Sequence, residues 1–219
     1  MKRSKIAIAL TLVFIFLLKP LFASTQDQWT FLTQKDGIKV YNKSVENSKV
    51  KALKVEVILN SSLSAVVSLL LDVPAAKAWV YHTKSCVLLK SVSSSELYYY
   101  SEVSLPWPLE NRDFVAHVKV TQDKNSKVVI VEAPAIPGFV AEKKNIVRVN
   151  HSVGYWIITP LDKGQVSIQY SLQVDPGGVI PAWAVNALSS QGPIESFMKM
   201  KQMLLQSEYK NASLNFIQN

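Results

Sequence analysis

The chain has 219 residues, a mass of 24.4 kDa and a hydrophobic fraction of 48%, which fits one globular domain. Its composition, with 7 glycines, 10 prolines and 1 cysteine, excludes a disordered chain, a collagen-like repeat and a disulfide scaffold. Half of the formal charge of +8 belongs to residues 1–23, and the remainder is scattered without a run of basic residues, so nucleic acid is not an expected partner.

The N-terminal segment predicts export. A basic head over residues 1–5 precedes an apolar run over residues 6–18 that only Thr11 interrupts. The run is shorter than the roughly 20 residues of a membrane-spanning helix, and Ala23 is a small residue suited to a cleavage site. We therefore predict a signal peptide over residues 1–23 and a periplasmic or secreted protein. An uncleaved membrane anchor is the alternative.

The first elements predicted after this segment are a short helix and a β-hairpin. Residues 29–35 suggest the helix, which ends at the turn formed by Asp36 and Gly37. Strands over residues 38–41 and 50–59, separated by a polar turn, predict the hairpin.

The spacing of apolar residues then changes from strand to helix and back. Leucine and valine recur at helical spacing over residues 63–71, after a serine-containing segment that can cap a helix. A second helical piece is predicted over residues 75–80. Alternation then predicts a series of strands over residues 86–92, 96–104, 112–121, 127–133, 145–150, 154–160 and 165–174.

The last of these strands shows the clearest alternation. From Val166 to Val174 every second residue is apolar, and the residues between them are polar and uncharged. One face in the core and one in water is typical of an antiparallel sheet. A helix over residues 181–209, which Pro193 is expected to kink or restart, would cover the apolar face. The predicted fold class is α+β, a curved antiparallel sheet wrapped around a long C-terminal helix.

The sequence lacks the common catalytic and cofactor motifs. It has no GxSxG, HExxH or CxxC motif and no phosphate-binding glycine loop. No metal site, cofactor or catalytic residue is therefore predicted. One cluster on neighbouring strands could support acid–base chemistry, although alternation favours a solvent-facing histidine: His117, Asp113, Glu102 and Arg112. Cys86, in an apolar run, is expected to be an inert buried thiol rather than a nucleophile.

Several short motifs, taken in order, resemble those of the START domain family of lipid-binding proteins. They are Trp29 ahead of GIKVY at 37–41, LDVP at 71–74 before Trp79, LPWP at 105–108, NRDFV at 111–115, and PGGVIP at 176–181. The resemblance covers residues 29–205 and implies a helix-grip fold enclosing one lipid. The lipid-binding domain would span residues 24–210, followed by a C-terminal tail over residues 211–219.

The predicted ligand site lies between the sheet and the last helix. Strand alternation and helical spacing place these side chains there: Phe114, Val118, Tyr170, Leu172, Phe197 and Met198. The resemblance implies that Val118 and Tyr99 replace the arginine and acidic residue of sterol-binding members. An apolar chain, or a headgroup bound by tyrosine and serine hydroxyls, is therefore expected. Arg112 and Asp113 are expected to form a structural ion pair.

The resemblance also implies a gate beside the last helix. Residues 133–140 occupy that place, where Gly138 permits a turn and Ile136 and Phe139 could enter a bilayer. The same loop could instead cap the core.

The expected function is binding of one lipid or another hydrophobic molecule, with transfer through transient contact with a membrane surface. The protein is expected to be a monomer that catalyses no reaction. Periodicity fits a filled core as well as a cavity of about 300–1,000 Å³, so two alternatives stay open. One is a helix-grip enzyme of the polyketide cyclase or dehydratase type, and the other is a protein-interaction module.

Overall fold

The computed structural model describes residues 29–45, 51–181, 184–185 and 187–219, so the predicted signal peptide lies outside the described residues. The described part contains one ten-stranded sheet. Its strands are β1 Thr30–Lys35, β2 Ile38–Lys43, β3 Ala52–Asn60, β4 Thr83–Ser93, β5 Glu96–Val103, β6 Asn111–Gln122, β7 Val129–Pro134, β8 Ile146–Arg148, β9 His151–Leu161 and β10 Gln165–Asp175.

The sheet runs in the order β1-β2-β3-β10-β9-β7-β6-β5-β4 with antiparallel neighbours. The short strand β8 lies off this path and pairs with β6 in parallel. The sheet is curved and its concave face, here called the inner face, packs on the helices. The predicted fold class, α+β with a curved antiparallel sheet and a C-terminal helix, is confirmed.

The helix predicted over residues 29–35 is wrong, because this segment is strand β1, paired with β2. Asp36 and Gly37 both have positive φ values, 49° and 78°. An Asp-Gly pair in this conformation makes the tight turn of a β-hairpin. The aromatic and threonine residues before it, Phe31 and Thr33, favour a strand as well.

Two helices follow β3, namely α1 Leu63–Leu71 and α2 Ala76–Trp79. The Ser62 hydroxyl caps α1 by accepting a hydrogen bond from the backbone N–H of Ala65 at 3.1 Å. Leu63, Val66 and Val67 are buried at helical spacing, as predicted. The chain leaves the helix at Asp72, two residues before Pro74, which cannot continue a helix in that position.

The C-terminal segment is helical but divided into parts. A π-helical turn, Ala187–Gln191, leads into α3 Gly192–Met203, and a separate short helix, α4 Ser207–Lys210, follows. Pro193 lies in the first turn of α3, and its missing N–H accounts for the wider turn before it. The continuous stretch predicted to residue 209 therefore ends earlier. Among the described residues no helix combines the length and apolarity needed to cross a membrane.

Residues 211–219, the predicted C-terminal tail, contact the rest of the fold. Ile217 is buried. The side-chain oxygen of Asn219 accepts a hydrogen bond from the Ser64 backbone N–H at 2.9 Å, and the Gln218 backbone N–H donates to the Gln122 side chain at 2.8 Å. These contacts fasten the end of the chain to the start of α1 and to β6.

Candidate functional site

The inner face of the sheet divides into two halves that differ in burial. In one, here called the packed half, the inner-face side chains are at most 4% exposed: Val57, Val120, Val129, Ile158 and Ile168. In the other, here called the open half, several of them are only half-buried: Tyr99, Phe114, Ala133, Tyr170 and Leu172. Apolar side chains that face the interior yet keep accessible surface are expected where a fold can hold a ligand.

An aromatic group joins the open half to the C-terminal helix. The ring centroids of Trp156 and Tyr170 are 4.3 Å apart, and that of Phe197 on α3 lies 5.6 Å from Trp156 and 6.1 Å from Tyr170. Tyr170 leans across Gly154, where an added Cβ atom would lie 3.7 Å from the ring. The open half therefore has a wall of π surfaces on its α3 side.

A second aromatic pair lies on β5 and β6. Tyr99 and Phe114 meet edge to face at 5.9 Å. Burial raises the pKa of the Tyr99 hydroxyl, and Cys86 and Tyr170 raise it further. Burial likewise raises the pKa of Tyr170. Tyr99, Tyr170 and Cys86 all occupy inner-face positions of the sheet and are half-buried.

The interior in this half carries hydroxyl and thiol groups but little charge. Burial raises the pKa of the Cys86 thiol to about 11, although the Ser101 hydroxyl opposes the shift, so the thiol keeps its proton at neutral pH and is a poor nucleophile. Along the described inner faces of β5, β6, β9 and β10, the one charged side chain is Arg112, at the rim. The arrangement suits an uncharged or zwitterionic apolar ligand.

The sequence-predicted ligand residues of the strands lie on the inner face of the sheet, and Phe197 and Met198 lie on α3. The structure brings Tyr170 together with Phe197, and Tyr99 with Phe114. Leu172 and Met198 are half-buried against the core. Val118 is buried opposite Leu97, which puts it at the boundary with the packed half. Direct contact of these side chains with a ligand stays a prediction.

Trp156, Cys86 and Ser101 also face this interior, although they are not among the predicted site residues. Trp156 alternates in phase with Ile158, and both are buried, so the period-2 pattern of β9 was the available signal. Cys86 and Ser101 are paired across β4 and β5. Their position depends on strand register, which the spacing of residues alone does not reveal.

The predicted ion pair between Arg112 and Asp113 is wrong. Adjacent residues of a strand point to opposite faces of the sheet, and Asp113 instead accepts hydrogen bonds from Arg148 Nε at 2.7 Å and Nη2 at 3.1 Å. The Tyr100 hydroxyl donates to the same carboxylate at 3.0 Å. Arg112 donates to backbone carbonyl oxygens, and burial lowers the pKa of its guanidinium.

The candidate acid–base cluster is assembled only in part, because Glu102 and Asp113 are cross-strand neighbours on the outer face while Arg112 lies on the inner face. The His117 imidazole lies 2.7 Å from Glu96, on the outer face of the sheet. Glu102 accepts hydrogen bonds from Lys84 and Asn111, and the bond from Lys84 lowers its pKa. The four side chains therefore do not converge on one point where a substrate could react. Among the described residues no group of His, Cys, Asp or Glu side chains is placed to hold a metal ion.

The predicted gate loop crosses the outer face. The backbone N–H of Ile136 donates to the Val115 carbonyl at 2.8 Å, and that of Ala135 to the Ser152 carbonyl at 2.7 Å. Gly138 turns with a φ of 77°. Phe139 then stacks on Tyr98, with a centroid distance of 4.8 Å, and Tyr98 stacks on His117. Gating and membrane contact by these residues stay predictions, and Phe139 packs on the side of the sheet away from Val118.

A cavity of about 270 Å³ also lies on the outer face, between β4, β5 and the segment after Phe139. It is lined by Ser85, Val87, Leu89, Tyr100, Val140, Ala141 and Lys143. The Lys143 ammonium lies 4.2 Å from the centre of the Tyr100 ring. The sheet separates this cavity from the open half, so the two do not form one site.

Comparison with known proteins adds to this geometry. The family model described as START domain matches residues 17–210. A crystal structure of a STAR-related lipid transfer protein fragment from Xanthomonas axonopodis is 31% identical, with a TM-score of 0.74, over 81% of this chain and 99% of that one. The phosphatidylcholine transfer protein of Bos taurus is 27% identical over 78% of this chain and 81% of its own. The acetyl-coenzyme A thioesterase of Rattus norvegicus is 25% identical over 74% of this chain but only 29% of its own.

Proposed function

The chain belongs to the START domain family, and on that premise we propose that it binds one lipid molecule in the open half of the sheet interior and carries it between membranes. The single observation that supports this most is the partial burial of the inner-face side chains Tyr99, Phe114, Tyr170 and Leu172. Relatives that are named for lipid transfer align over most of both chains.

The chemistry of the interior favours certain lipids over others. A bare anionic headgroup would lose its hydration, and along the described inner faces of β5, β6, β9 and β10 it would find no cation except Arg112 at the rim. Tyrosine and serine hydroxyls and the aromatic group can instead bind a neutral or zwitterionic headgroup. Acyl chains supply the affinity, since each buried methylene contributes about 0.8 kcal/mol.

The proposal contains no catalytic step. The titratable groups described in the interior are Tyr99, Tyr170 and Cys86, and burial raises the pKa of each. Groups that keep their protons at neutral pH do not serve as general bases or nucleophiles. Similarity to 29% of a thioesterase does not extend that enzyme's activity to this chain. Export to the periplasm or beyond, directed by residues 1–23, remains part of the proposal.

Organic extraction of the purified protein, followed by mass spectrometry, tests the proposal. About one lipid per chain is expected, and Leu172→Trp should lower that occupancy severalfold because the larger ring fills the open half. Ile58→Trp is the matched control, since Ile58 is exposed on the outer face of β3 and its enlargement leaves the interior unchanged. A protein that carries no lipid and takes up no phosphatidylcholine from vesicles would contradict the proposal.

A further inference from the structure

The cavity on the outer face of β4 and β5 has a floor and a wall that are both held in place. The floor includes Tyr100, which is 5% exposed and donates a hydrogen bond to the buried Asp113 carboxylate at 3.0 Å. The wall is the segment 140–143, and the buried Arg148 guanidinium donates hydrogen bonds to two backbone carbonyls of this segment at 3.0 and 3.2 Å. The floor and the wall are therefore fastened to the same buried ion pair.

A β-bulge in β4, the last strand of the sheet, adds apolar surface to this cavity. The register of β4 with β5 shifts between Leu88 and Lys90, and the extra residue is Leu89. Bulges commonly redirect a side chain next to a functional site. Leu89 lines the cavity together with Val87, which is 51% exposed. This apolar surface lies in water, and a ligand in the cavity would cover it.

Lys143 is the one charged residue among those that line the cavity. The two carboxylates nearby, those of Asp113 and Glu102, each have a basic partner of their own at 2.7 and 2.8 Å. Lys143 has no ion-pair partner in the part of the chain that the structure describes. Its interaction with the Tyr100 side chain raises the pKa of the ammonium, which is therefore charged at neutral pH. One negative charge on a ligand would complement it.

The size and the charge of the cavity indicate which ligands fit. Its volume of about 270 Å³ equals that of about nine water molecules, or of an organic molecule with about ten non-hydrogen atoms. A phosphate dianion would need several donors and would be repelled by the two carboxylates. A cationic ligand would meet the Lys143 ammonium on the face of the Tyr100 ring. A single carboxylate on a short apolar body suits both the ammonium and the apolar walls.

We propose that this cavity is a second binding site, which takes a small carboxylic acid with an apolar body. The carboxylate accepts a charge-assisted hydrogen bond from the Lys143 ammonium, and the Ser85 hydroxyl, which also lines the cavity, is a second donor. The apolar body packs on Val87 and Leu89. The site goes beyond the proposed function, because the sheet separates it from the open half and it does not depend on a lipid bound there.

Calorimetric titration of the purified protein with octanoate, an acid of this size, tests the site. Lys143→Met should weaken octanoate binding by about tenfold, because the carboxylate loses its charged donor. Lys144→Met is the matched control, since this neighbouring lysine is exposed and does not line the cavity. Its replacement should leave binding within about twofold, as expected for a screened surface charge. Octanamide, the uncharged analogue, should bind weakly and equally to the three proteins.

Filling the cavity provides a second measurement in which the charge is unchanged. Val87→Trp should weaken octanoate binding severalfold, because the indole occupies the space of the apolar body. Val92→Trp is its control, since Val92 is 48% exposed on the same strand and does not line the cavity. Octanoate should bind to this control as it binds to the unaltered protein.

Four results would overturn the proposal. Octanoate could fail to bind to the unaltered protein, or Lys143→Met and Lys144→Met could lose binding equally, which would indicate attraction by surface charge alone. Binding that is lost in Leu172→Trp but kept in Val87→Trp would place the acid in the open half. Displacement of octanoate by an equal concentration of inorganic phosphate would indicate a general anion site without selection for an apolar body.

Discussion

The packed half and the open half of the inner face are built from the same strands with the same alternation, yet they differ in what fills them. Ile168 and Tyr170 are successive inner positions of β10, and the first is fully buried while the second is half-buried. The period of a strand determines which side chains face inward. The placement of the helices above them determines whether those side chains find close neighbours.

The two halves also differ in what holds them in place. The packed half relies on apolar side chains of the sheet and α1, such as Val66 and Ile158. The open half is supported from the outside by Asp113, Arg148 and Tyr100, and at its rim by Arg112. Half-buried side chains make fewer apolar contacts than fully buried ones, and in the open half hydrogen-bonded charges lie on the outer face of the same strands.

The largest effect is expected from Asp113→Asn, which breaks the polar support of the open half. Asp113 is 0% exposed, and its replacement leaves the Arg148 guanidinium buried without its carboxylate. Loss of one partner from a buried ion pair costs about 3–5 kcal/mol of unfolding free energy, measured by urea denaturation. Lys84→Met, which removes the exposed partner of Glu102, should cost about 0–1 kcal/mol. If Asp113→Asn costs no more unfolding free energy than the small loss expected for Lys84→Met, the hydrogen bonds of Asp113 with Arg148 and Tyr100 are dispensable for stability.

Truncation on β10 compares the halves directly. Ile168→Ala should lower the unfolding free energy by about 2–5 kcal/mol, because it leaves a cavity among buried neighbours. Leu172→Ala, four residues away on the same face, should cost about 1 kcal/mol of unfolding free energy in delipidated protein. Leu172 is only half-buried, so its truncation removes less buried apolar surface than the truncation of Ile168. Both free energies are measured by chemical denaturation, and the two variants should show the same dependence of unfolding free energy on denaturant concentration. If the two losses agree, the open half is as tightly packed as the other.

The smallest effect is expected for the reactivity of the Cys86 thiol in the open half. A pKa of about 11 means that the thiolate fraction, and with it the rate of alkylation by iodoacetamide, rises about tenfold per unit from pH 8 to pH 10. In the denatured chain the alkylation rate of Cys86 should reach a plateau near pH 9, as it does for an ordinary thiol. A plateau near pH 9 in the folded protein would place the thiol in water rather than in the interior.

Much of the fold could be predicted from the sequence because its signals are local. The alternation in β10, the helical spacing in α1 and the proline near the start of α3 each depend on neighbouring residues. The prediction fails at β1 because six residues give too weak a period to separate a strand from a helix, although the Asp36-Gly37 turn favours a hairpin. The motif order that resembles START domains extended these local signals to the whole domain.

The burial and the contacts of the site residues could not be predicted from the sequence. Ile168 and Tyr170 satisfy the same period-2 pattern, so a filled interior and an open one look alike in the sequence. The partner of Asp113 lies 35 residues away and depends on the parallel pairing of β8 with β6, which no spacing rule indicates. Phe139 was expected near the helix, and the path of its loop across the outer face depends on Tyr98.

The position of β10 in the sheet has a consequence for the order in which the protein can be made. Strand β10 lies between β3 and β9, and the Gln165 side chain at its start donates a hydrogen bond to Asn60, 105 residues earlier. During synthesis, β1 to β3 therefore wait without their neighbour until most of the chain has left the ribosome. Closing so long a loop is slow and leaves a strand edge unpaired meanwhile. Folding of this protein is expected to finish only after its last long strand has emerged.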